Sequence, residues 1–302
     1  MGDAISRRRL LLGGAVAAGA LSAAAASSVG AVQPFQREGK GRIKLSCCAY
    51  SYRQFLQGSG KTMSMEDFVD KCAELGLDGV ELTSYYFPPE TDTAYLNRLK
   101  RRVFLLGLEV SGTAIGGDFT VPPGSDRDKQ IALAKAWIDR SAELGAPCMR
   151  VFAGGVPRGA TEEQARKWCL ECIEQCCEHA AKRGVMLALE NHGGITSRPE
   201  QVLAILKGIE SEWFGLNLDT GNFRGGDPYA DMAQVAQYAV NVHVKTRVVP
   251  SGGQAVEADF GRIIGILRSA GYKGYMSIEY EDPESPMTAV PRYVGVLRRA
   301  LQ

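Results

Sequence analysis

The alternation of short apolar runs with longer amphipathic stretches constrains the fold of this chain more than any other feature of its sequence. Eight short apolar runs predict strands at residues 43–50, 79–83, 108–114, 148–153, 185–190, 214–219, 240–245 and 275–280. Stretches with apolar residues spaced by three and four predict helices at 64–76, 92–106, 127–145, 161–183, 198–209, 228–238, 258–270 and 286–301. This strand–helix order predicts a parallel sheet covered by helices.

The predicted helices carry recognisable end signals. A glycine, which adopts the left-handed C-cap conformation easily, follows four of them: Gly76, Gly145, Gly184 and Gly271. At the other end of a helix, the run from Thr161 to Gln164 has the pattern of a capping box, in which the Thr161 hydroxyl accepts from the Gln164 backbone N–H. These signals support the predicted helix boundaries.

Eight strand–helix units without an internal linker predict an α/β fold, a single closed (β/α)8 TIM barrel over residues 43–302. The alternative is an open doubly wound sheet, which usually carries a glycine-rich nucleotide-binding turn after its first strand. Here the first strand leads into Ala49-Tyr50-Ser51-Tyr52, which is not such a turn. In a barrel, the chemistry is expected at the carboxyl ends of the strands.

The N-terminus has the pattern of an export signal. Ser6-Arg7-Arg8-Arg9-Leu10-Leu11 precedes an uncharged Ala/Gly/Leu run that extends to Val32. A charged segment, an apolar segment and small residues in this order are typical of a signal peptide, and the paired arginines resemble a twin-arginine signal. We predict a twin-arginine signal at residues 1–32, a Gly/Lys/Gln-rich linker at 33–42 and export to the periplasm. An uncleaved membrane anchor is the alternative, which the weak hydrophobicity of Ala and Gly disfavours.

The charge of the chain argues against nucleic acid and anionic membrane surfaces as partners. The formal net charge is +1, and residues 1–32 hold three arginines and one acid, so the remainder carries −1. A near-neutral body has no basic stripe to attract phosphate groups. No later stretch is apolar and long enough to span a bilayer, so we predict no stable membrane insertion of the mature chain.

Four of the eight cysteines fall on one face of a predicted helix. They are Cys169, Cys172, Cys176 and Cys177. Four thiols on a single helix face do not converge tetrahedrally on one ion. We therefore predict that these cysteines face the core rather than hold a metal.

The last four predicted strands each end in an acid or an imidazole: Glu190, Asp219, His243 and Glu279. An isolated carboxylate on an apolar strand is costly to desolvate, so it is expected to be protonated, paired or bound to a cation. Three carboxylates and one imidazole favour Mn²⁺, with Mg²⁺, Co²⁺ and Zn²⁺ as alternatives. The competing interpretation is that the acids simply pair with Lys245 and Arg150 inside the barrel.

Four motifs in order give the chain a resemblance to a known family. They are Leu189-Glu190-Asn191-His192-Gly193-Gly194, Leu218-Asp219-Thr220-Gly221-Asn222, His243-Val244-Lys245 and Ser277-Ile278-Glu279-Tyr280. They resemble the metal-ligand motifs of the xylose isomerase-like superfamily, and within it the sugar phosphate isomerase/epimerase group that includes ketose 3-epimerases, hydroxypyruvate isomerase and inosose dehydratase. The intervals of 29, 24 and 36 residues between the ligands each span one βα unit with its loops. The resemblance covers roughly residues 43 to 300.

This resemblance implies a metal-dependent enzyme. Glu190, Asp219, His243 and Glu279 would bind one divalent ion, and Glu190 and Glu279 match the two glutamates that act as opposed acid and base in the epimerases. The metal would stabilise an enediolate formed by proton abstraction next to a carbonyl. The implied activity is an isomerase or epimerase of a small carbohydrate. A lyase of the inosose dehydratase type, or one that cleaves 3-keto-glycosides, is the alternative because it begins with the same step.

Five further residues are predicted to bind substrate: Glu81, Arg150, His192, Asn222 and Lys245. Glu81 matches a common family motif, and either contacts a substrate hydroxyl or neighbouring site residue or tethers the barrel mouth. Lys245 either neutralises a developing oxyanion or pairs with a ligand carboxylate. The chain has Asn222 and Val249 where several characterised epimerases have a histidine and an arginine that contact substrate, so the sequence does not identify the sugar.

Two other classes of barrel protein fit the sequence less well. A trinuclear zinc endonuclease of the same superfamily needs many histidines, and the whole chain contains three. A non-catalytic sugar-binding barrel is not expected to keep all four ligands. The sequence leaves open whether the chain forms a homo-oligomer.

Overall fold

The eight predicted strands pair in parallel and close into a barrel, which confirms the predicted (β/α)8 fold. The computed structural model describes residues 31–39 and 41–302. The barrel strands are β1 (Lys44–Cys48), β2 (Gly79–Thr83), β3 (Glu109–Ala114), β4 (Cys148–Val151), β5 (Met186–Glu190), β6 (Phe214–Asp219), β7 (Ala239–Val244) and β10 (Tyr275–Ile278). A short antiparallel hairpin, β8 (Arg247–Val248) and β9 (Val256–Glu257), interrupts the barrel order after β7.

The helices follow the strands as predicted, with one addition. They are α1 (Arg53–Leu56), α2 (Met65–Glu74), α3 (Thr93–Leu105), α4 (Ser125–Leu144), α5 (Glu162–Arg183), α6 (Pro199–Leu206), α7 (Pro228–Val235), α8 (Phe260–Ser269) and α9 (Pro286–Leu301). The sequence did not predict α1, a single short turn after β1. Helix α7 ends earlier than predicted because the chain continues as a 3-10 turn, Ala236–Tyr238.

The predicted end signals of helix α5 are present in the structure. Thr161 Oγ1 accepts from the Gln164 backbone N–H at 3.2 Å, and the Gln164 side chain accepts from the Thr161 N–H at 2.9 Å. At the other end, Gly184 adopts the left-handed conformation, with φ +68°. The cysteine face of the same helix is buried in the apolar core, as predicted. Each end of the helix is therefore fixed by local chemistry.

The interior of the barrel is lined by small and polar residues rather than by large aliphatic ones. Ser46 on β1 and Ser111 on β3 form a hydrogen bond of 2.6 Å between their hydroxyl groups, and Ser277 on β10 is also fully buried. Barrels of this class more often fill this space with valine, isoleucine and leucine. Small residues leave room for the long acidic side chains that enter from the carboxyl-end rim.

Strand register brings the predicted ligands to the same height. Asp219 at the end of β6 is opposite His243 on β7. The N–H of Glu279, which follows β10, donates to the Val244 carbonyl at 3.1 Å. Because adjacent parallel strands are locked by these bonds, their carboxyl ends form one rim.

The N-terminal segment, residues 31–39, contacts the end of the barrel opposite the carboxyl-end rim. Val32 N–H donates to the Ile209 carbonyl and Phe35 N–H to the Gln237 carbonyl, each at 3.0 Å. Residues 33–39 of the predicted linker therefore run along the barrel rather than away from it. Of the predicted signal at 1–32, residues 1–30 lie outside the described residues. Across residues 31–39 and 41–302, no helix has the length and apolar character needed to cross a membrane.

Replacing Thr161 by alanine is expected to lower the free energy of unfolding by about 1 kcal/mol, because the Gln164 N–H loses its acceptor at the start of α5. Urea unfolding followed by far-ultraviolet circular dichroism measures the change. Thr161→Ser keeps the hydroxyl and is the control. An unchanged midpoint for Thr161→Ala would show that this cap does not stabilise the fold.

Candidate metal centre

Four buried side chains converge at the carboxyl-end rim of the barrel: Glu190, Asp219, His243 and Glu279. One ligand atom from each lies within 4.8 Å of the others. His243 Nδ1 is 3.3 Å from Glu190 Oε2 and 3.2 Å from Glu279 Oε2. The structure thus brings the four predicted ligands together from β5, β6, β7 and the residue after β10.

Three atoms of this cluster make no properly oriented hydrogen bond among the described residues, although charged neighbours lie close to them: Asp219 Oδ2, His243 Nδ1 and Glu279 Oε2. Buried polar atoms without partners are costly, and native structures contain few of them. A divalent cation between these side chains would satisfy all three. Oxygen-rich ligands with one imidazole suit such an ion. The residues present therefore fit a metal, and the identity of the ion stays a prediction.

His243 is oriented by a second carboxylate on its far side. Its Nε2 lies 2.7 Å from Glu81 Oε1, and both side chains are fully buried. A carboxylate bonded to one imidazole nitrogen fixes which nitrogen is left for a metal. Here that contact leaves Nδ1 directed at Glu190 and Glu279. The contacts of Glu81 in the structure are with site residues, and its predicted contact with substrate stays a prediction.

The protonation of the metal-free cluster follows from burial and from its neighbours. Burial raises the pKa of Asp219 to about 8, and the neighbouring carboxylates add to this rise while Lys245 opposes it. Burial would lower the pKa of His243, but Glu81 and Glu279 raise it well above its usual value. Burial would raise the pKa of Glu279, but Lys245 and His243 hold it well below its usual value. In the metal-free cluster, burial therefore favours a proton on Asp219, and the neighbouring acids favour one on His243.

Two asparagines that the sequence analysis missed connect the ligands beneath the rim. Asn217 Nδ2 donates to Glu190 Oε2 at 3.1 Å. Asn241 Nδ2 donates to Asn217 Oδ1 and to Glu81 Oε2, both at 2.8 Å. Because Glu81 also contacts His243, these bonds link the ligands of β5 and β7 through one buried network. Such networks lock the orientation of the side chains they contain.

The spacing of these two asparagines in the sequence could have identified them as site residues. Asn217 and Asn241 lie two residues before Asp219 and His243 on their strands. Side chains two residues apart in a strand point to the same face. A polar residue in that position of an apolar strand therefore lies directly below the ligand, inside the barrel.

Lys245 lies against the cluster as a buried cation. Its Nζ is 2.7 Å from Glu279 Oε2, 3.5 Å from Asp219 Oδ2 and 2.6 Å from Glu281 Oε2. Burial would lower the pKa of Lys245, but Asp219 and Glu279 raise it well above its usual value. The pairing with ligand carboxylates that the sequence allowed is present. Glu281, two residues after Glu279, was not predicted and holds the lysine from the solvent side.

Arg150 is the second buried cation of the site. Its Nε lies 3.1 Å from Glu190 Oε2, and its Nη1 donates to the Ile115 carbonyl at 2.9 Å. The guanidinium carbon lies 3.9 Å from the centre of the Phe152 ring. Arg150 is almost fully buried. It is thus held in place on three sides while it balances the charge of one predicted ligand.

His192 and Asn222 approach the outer edge of Glu190. Asn222 Nδ2 donates to Glu190 Oε1 at 3.3 Å, and His192 Nε2 lies 4.0 Å from the same oxygen. The His192 ring stacks on Phe152, with 4.1 Å between ring centres. Both side chains border the mouth of the site. Substrate binding by these two residues, and by Arg150 and Lys245, stays a prediction.

Solved structures share this fold at low sequence identity. D-psicose 3-epimerase from Clostridium cellulolyticum H10 aligns with a TM-score of 0.72 and 15% identity over 86% of this chain and 100% of its own. The IolI protein, solved with a zinc atom, gives 0.69 and 16% over 85% and 96%. The probable 3-DHS dehydratase AsbF from Bacillus anthracis gives 0.65 and 20% over 85% and 99%. Identities this low show the fold alone.

Comparison of the sequence with protein families and with curated proteins gives two results. No curated protein matches the chain. The family described as the xylose isomerase-like TIM barrel matches residues 69–300, which include β2 to β10 and all four converging side chains. The chain therefore belongs to the xylose isomerase-like TIM barrel family.

Proposed function

We propose that the protein is a divalent-metal-dependent isomerase or epimerase of a small carbohydrate. The observation that carries the proposal is the convergence of Glu190, Asp219, His243 and Glu279, with three of their buried atoms making no properly oriented hydrogen bond in the described part of the chain. When bound, a divalent cation would supply positive charge to stabilise the negative charge that develops on a substrate carbonyl oxygen. Membership of an enzyme-rich barrel family supports catalysis over a purely structural role.

Glu190 and Glu279 carry the proton transfers in this proposal. They approach His243 Nδ1 from different strands of the rim, at 3.3 and 3.2 Å, with β6 and β7 between them. One carboxylate would remove a proton from the carbon next to the carbonyl, and the other would return a proton from the opposite side. Arg150 and Lys245 lie beside the two glutamates and balance their charge. These two proton transfers invert the configuration of a carbon or move the carbonyl group.

The proposed substrate is an uncharged carbohydrate taken up as a nutrient. The predicted export signal supports this, because phosphorylated intermediates are mainly cytosolic. The fold is also that of a protein named as a D-psicose 3-epimerase. We extend the proposal to export through the twin-arginine route, with the mature enzyme working in the periplasm.

A lyase that uses the same site is the second candidate. Loss of the same proton could expel a hydroxyl or glycosidic group from the next carbon instead of returning a proton. The fold similarity to a protein named as a probable dehydratase favours keeping this candidate. The products separate the two reactions, because the lyase yields an unsaturated sugar and the epimerase an inverted one.

Incubation of the metal-loaded protein with free sugars, keto sugars and inososes in deuterated water is expected to place solvent deuterium on a carbon next to a carbonyl, as measured by NMR and mass spectrometry. Glu190→Gln and Glu279→Gln are each expected to slow incorporation by about 100-fold or more, because each removes one proton carrier. Glu174→Gln, on the exposed face of α5, is the control. No incorporation into any of these compounds would defeat the proposed reaction.

Metal binding is expected to release protons at neutral pH. The pKa of Asp219 is raised to about 8 by burial and that of His243 is also raised, so both lose a proton when they bind a cation. Affinity should therefore rise as the pH increases toward 8. Calorimetry in buffers of different ionisation enthalpy counts the protons. Heats that do not depend on the buffer would contradict this protonation state.

Glu81→Gln is expected to weaken metal binding by about 10–100-fold, because the amide no longer fixes the imidazole of His243. Titration with Zn²⁺ against a competing chelator measures the affinity. Glu163→Gln, an exposed position at the start of α5, is the matched control. Equal affinities of Glu81→Gln and the unmodified protein would show that the Glu81–His243 contact does not position a ligand.

A further inference from the structure

Two cavities lie near Glu190 at the rim. One, of about 150 Å³, is lined by Asn222, Lys245 and Glu279 and belongs to the metal centre. The other, of about 240 Å³, is lined by residues after β3, β4 and β5, among them Phe152, Gly155 and His192. One lining residue of each cavity lies near the same atom. Glu190 Oε1 accepts from Asn222 Nδ2 at 3.3 Å and lies 4.0 Å from His192 Nε2. A ligand that spans Glu190 could occupy both.

The second cavity is built by crossing loops. Gly154 has φ +118°, and a Cβ there would overlap Asp118 Oδ1. Gly194 has φ +52°, and a Cβ there would overlap the Gly154 carbonyl oxygen. Ile195 N–H donates to that same carbonyl at 3.1 Å. Glycine is required at both crossings, so the loops after β4 and β5 form a preformed cavity rather than a loose surface.

The lining of the second cavity is uncharged except for the titratable His192. It combines an imidazole stacked on Phe152, the Thr196 side chain and glycine backbone. The outer part of His192 is open to solvent, with 52% of its side chain exposed. Of the described residues that line it, none is lysine, arginine, aspartate or glutamate. A phosphate or carboxylate would lack the arginine or lysine partners that usually bind it. The exposed outer part of the His192 ring, with polar groups nearby, suits a neutral hydroxylated ring.

The cavity beside the metal centre, of about 150 Å³, is the smaller of the two. A two-ring substrate that reacts at the metal centre would find more room for its second ring in the other cavity.

We propose that the second cavity, lined by Phe152, Gly155 and His192, is a subsite for an uncharged saccharide ring. The substrate is then a glycosylated sugar, with its reacting ring at the metal centre and its attached ring in this cavity. The identity of the reacting ring rests on the proposed function. The existence of the subsite is testable by binding alone.

Gly155→Leu is the variant that tests the subsite. Gly155 lines the cavity, a Cβ there meets no atom within 4 Å, and its φ is not in the left-handed region, so the fold can accept a leucine at this position of the lining. Gly265→Leu is the matched control. Gly265 lies on α8, is exposed, and a Cβ there also meets no atom within 4 Å.

Deuterium incorporation is compared for D-fructose and for turanose, lactulose and isomaltulose, which attach a neutral ring to fructose through different hydroxyl groups. At least one disaccharide is expected to have a kcat/KM about 10-fold or more above that of fructose. Gly155→Leu is expected to lower the ratio of the disaccharide kcat/KM to the fructose kcat/KM by about 10-fold. Gly265→Leu should leave this ratio unchanged. An equal loss for fructose and disaccharide would overturn the subsite.

Saturation-transfer NMR on the Zn²⁺-loaded protein measures binding without turnover, since Zn²⁺ is diamagnetic. Saturation is expected to reach the attached ring of at least one disaccharide in the unmodified protein and in Gly265→Leu, and to be lost in Gly155→Leu. This result without any deuterium incorporation would disprove the proposed reaction and keep the subsite. No saturation of the attached ring in the unmodified protein, or the same saturation in Gly155→Leu, would overturn the subsite.

Discussion

The balance of charge inside the barrel is the constraint on which the rest of this structure depends. Four acids are buried there: Glu81, Glu190, Asp219 and Glu279. Arg150 and Lys245 lie against them as buried cations. Burial raises the pKa of Asp219, and Glu81 and Glu279 raise that of His243, so both groups favour a proton when no metal is bound. Isolated buried charge is very costly, and a divalent cation that replaced those protons would likewise offset the charge of the acids.

These buried charges require polar side chains inside the barrel. Asn217 and Asn241 occupy the level below the ligands, and Ser46 and Ser111 pair by hydroxyl groups farther down. Asn217 donates to Glu190 and Asn241 donates to Glu81, so these two carboxylates are held before any ligand arrives. Preorganised polar groups are effective in catalysis because they need not reorient during the reaction. The apolar core lies instead between the sheet and the helices, where the cysteine face of α5 is packed.

The sequence was sufficient for those features that depend on local periodicity. Strand and helix positions, the capping box at Thr161 and the placement of Glu190 and Asp219 at strand ends all follow from spacing along the chain. The contact of Glu81 with His243 does not, because it joins β2 to β7 across the barrel. The same is true of the second cavity, whose shape depends on two loops crossing at Gly154 and Gly194. Periodicity predicts which face of a strand a residue lies on, but it does not predict which residues meet across the barrel interior.

The position of the N-terminal segment has a consequence for how the chain is presented to its surroundings. Val32 and Phe35 are hydrogen-bonded to Ile209 and Gln237, which precede β6 and β7 at the end of the barrel away from the metal centre. A chain held through this segment, for example by an engineered tag, would present the site away from the point of attachment. Immobilisation through the N-terminus should accordingly leave access for small molecules unobstructed.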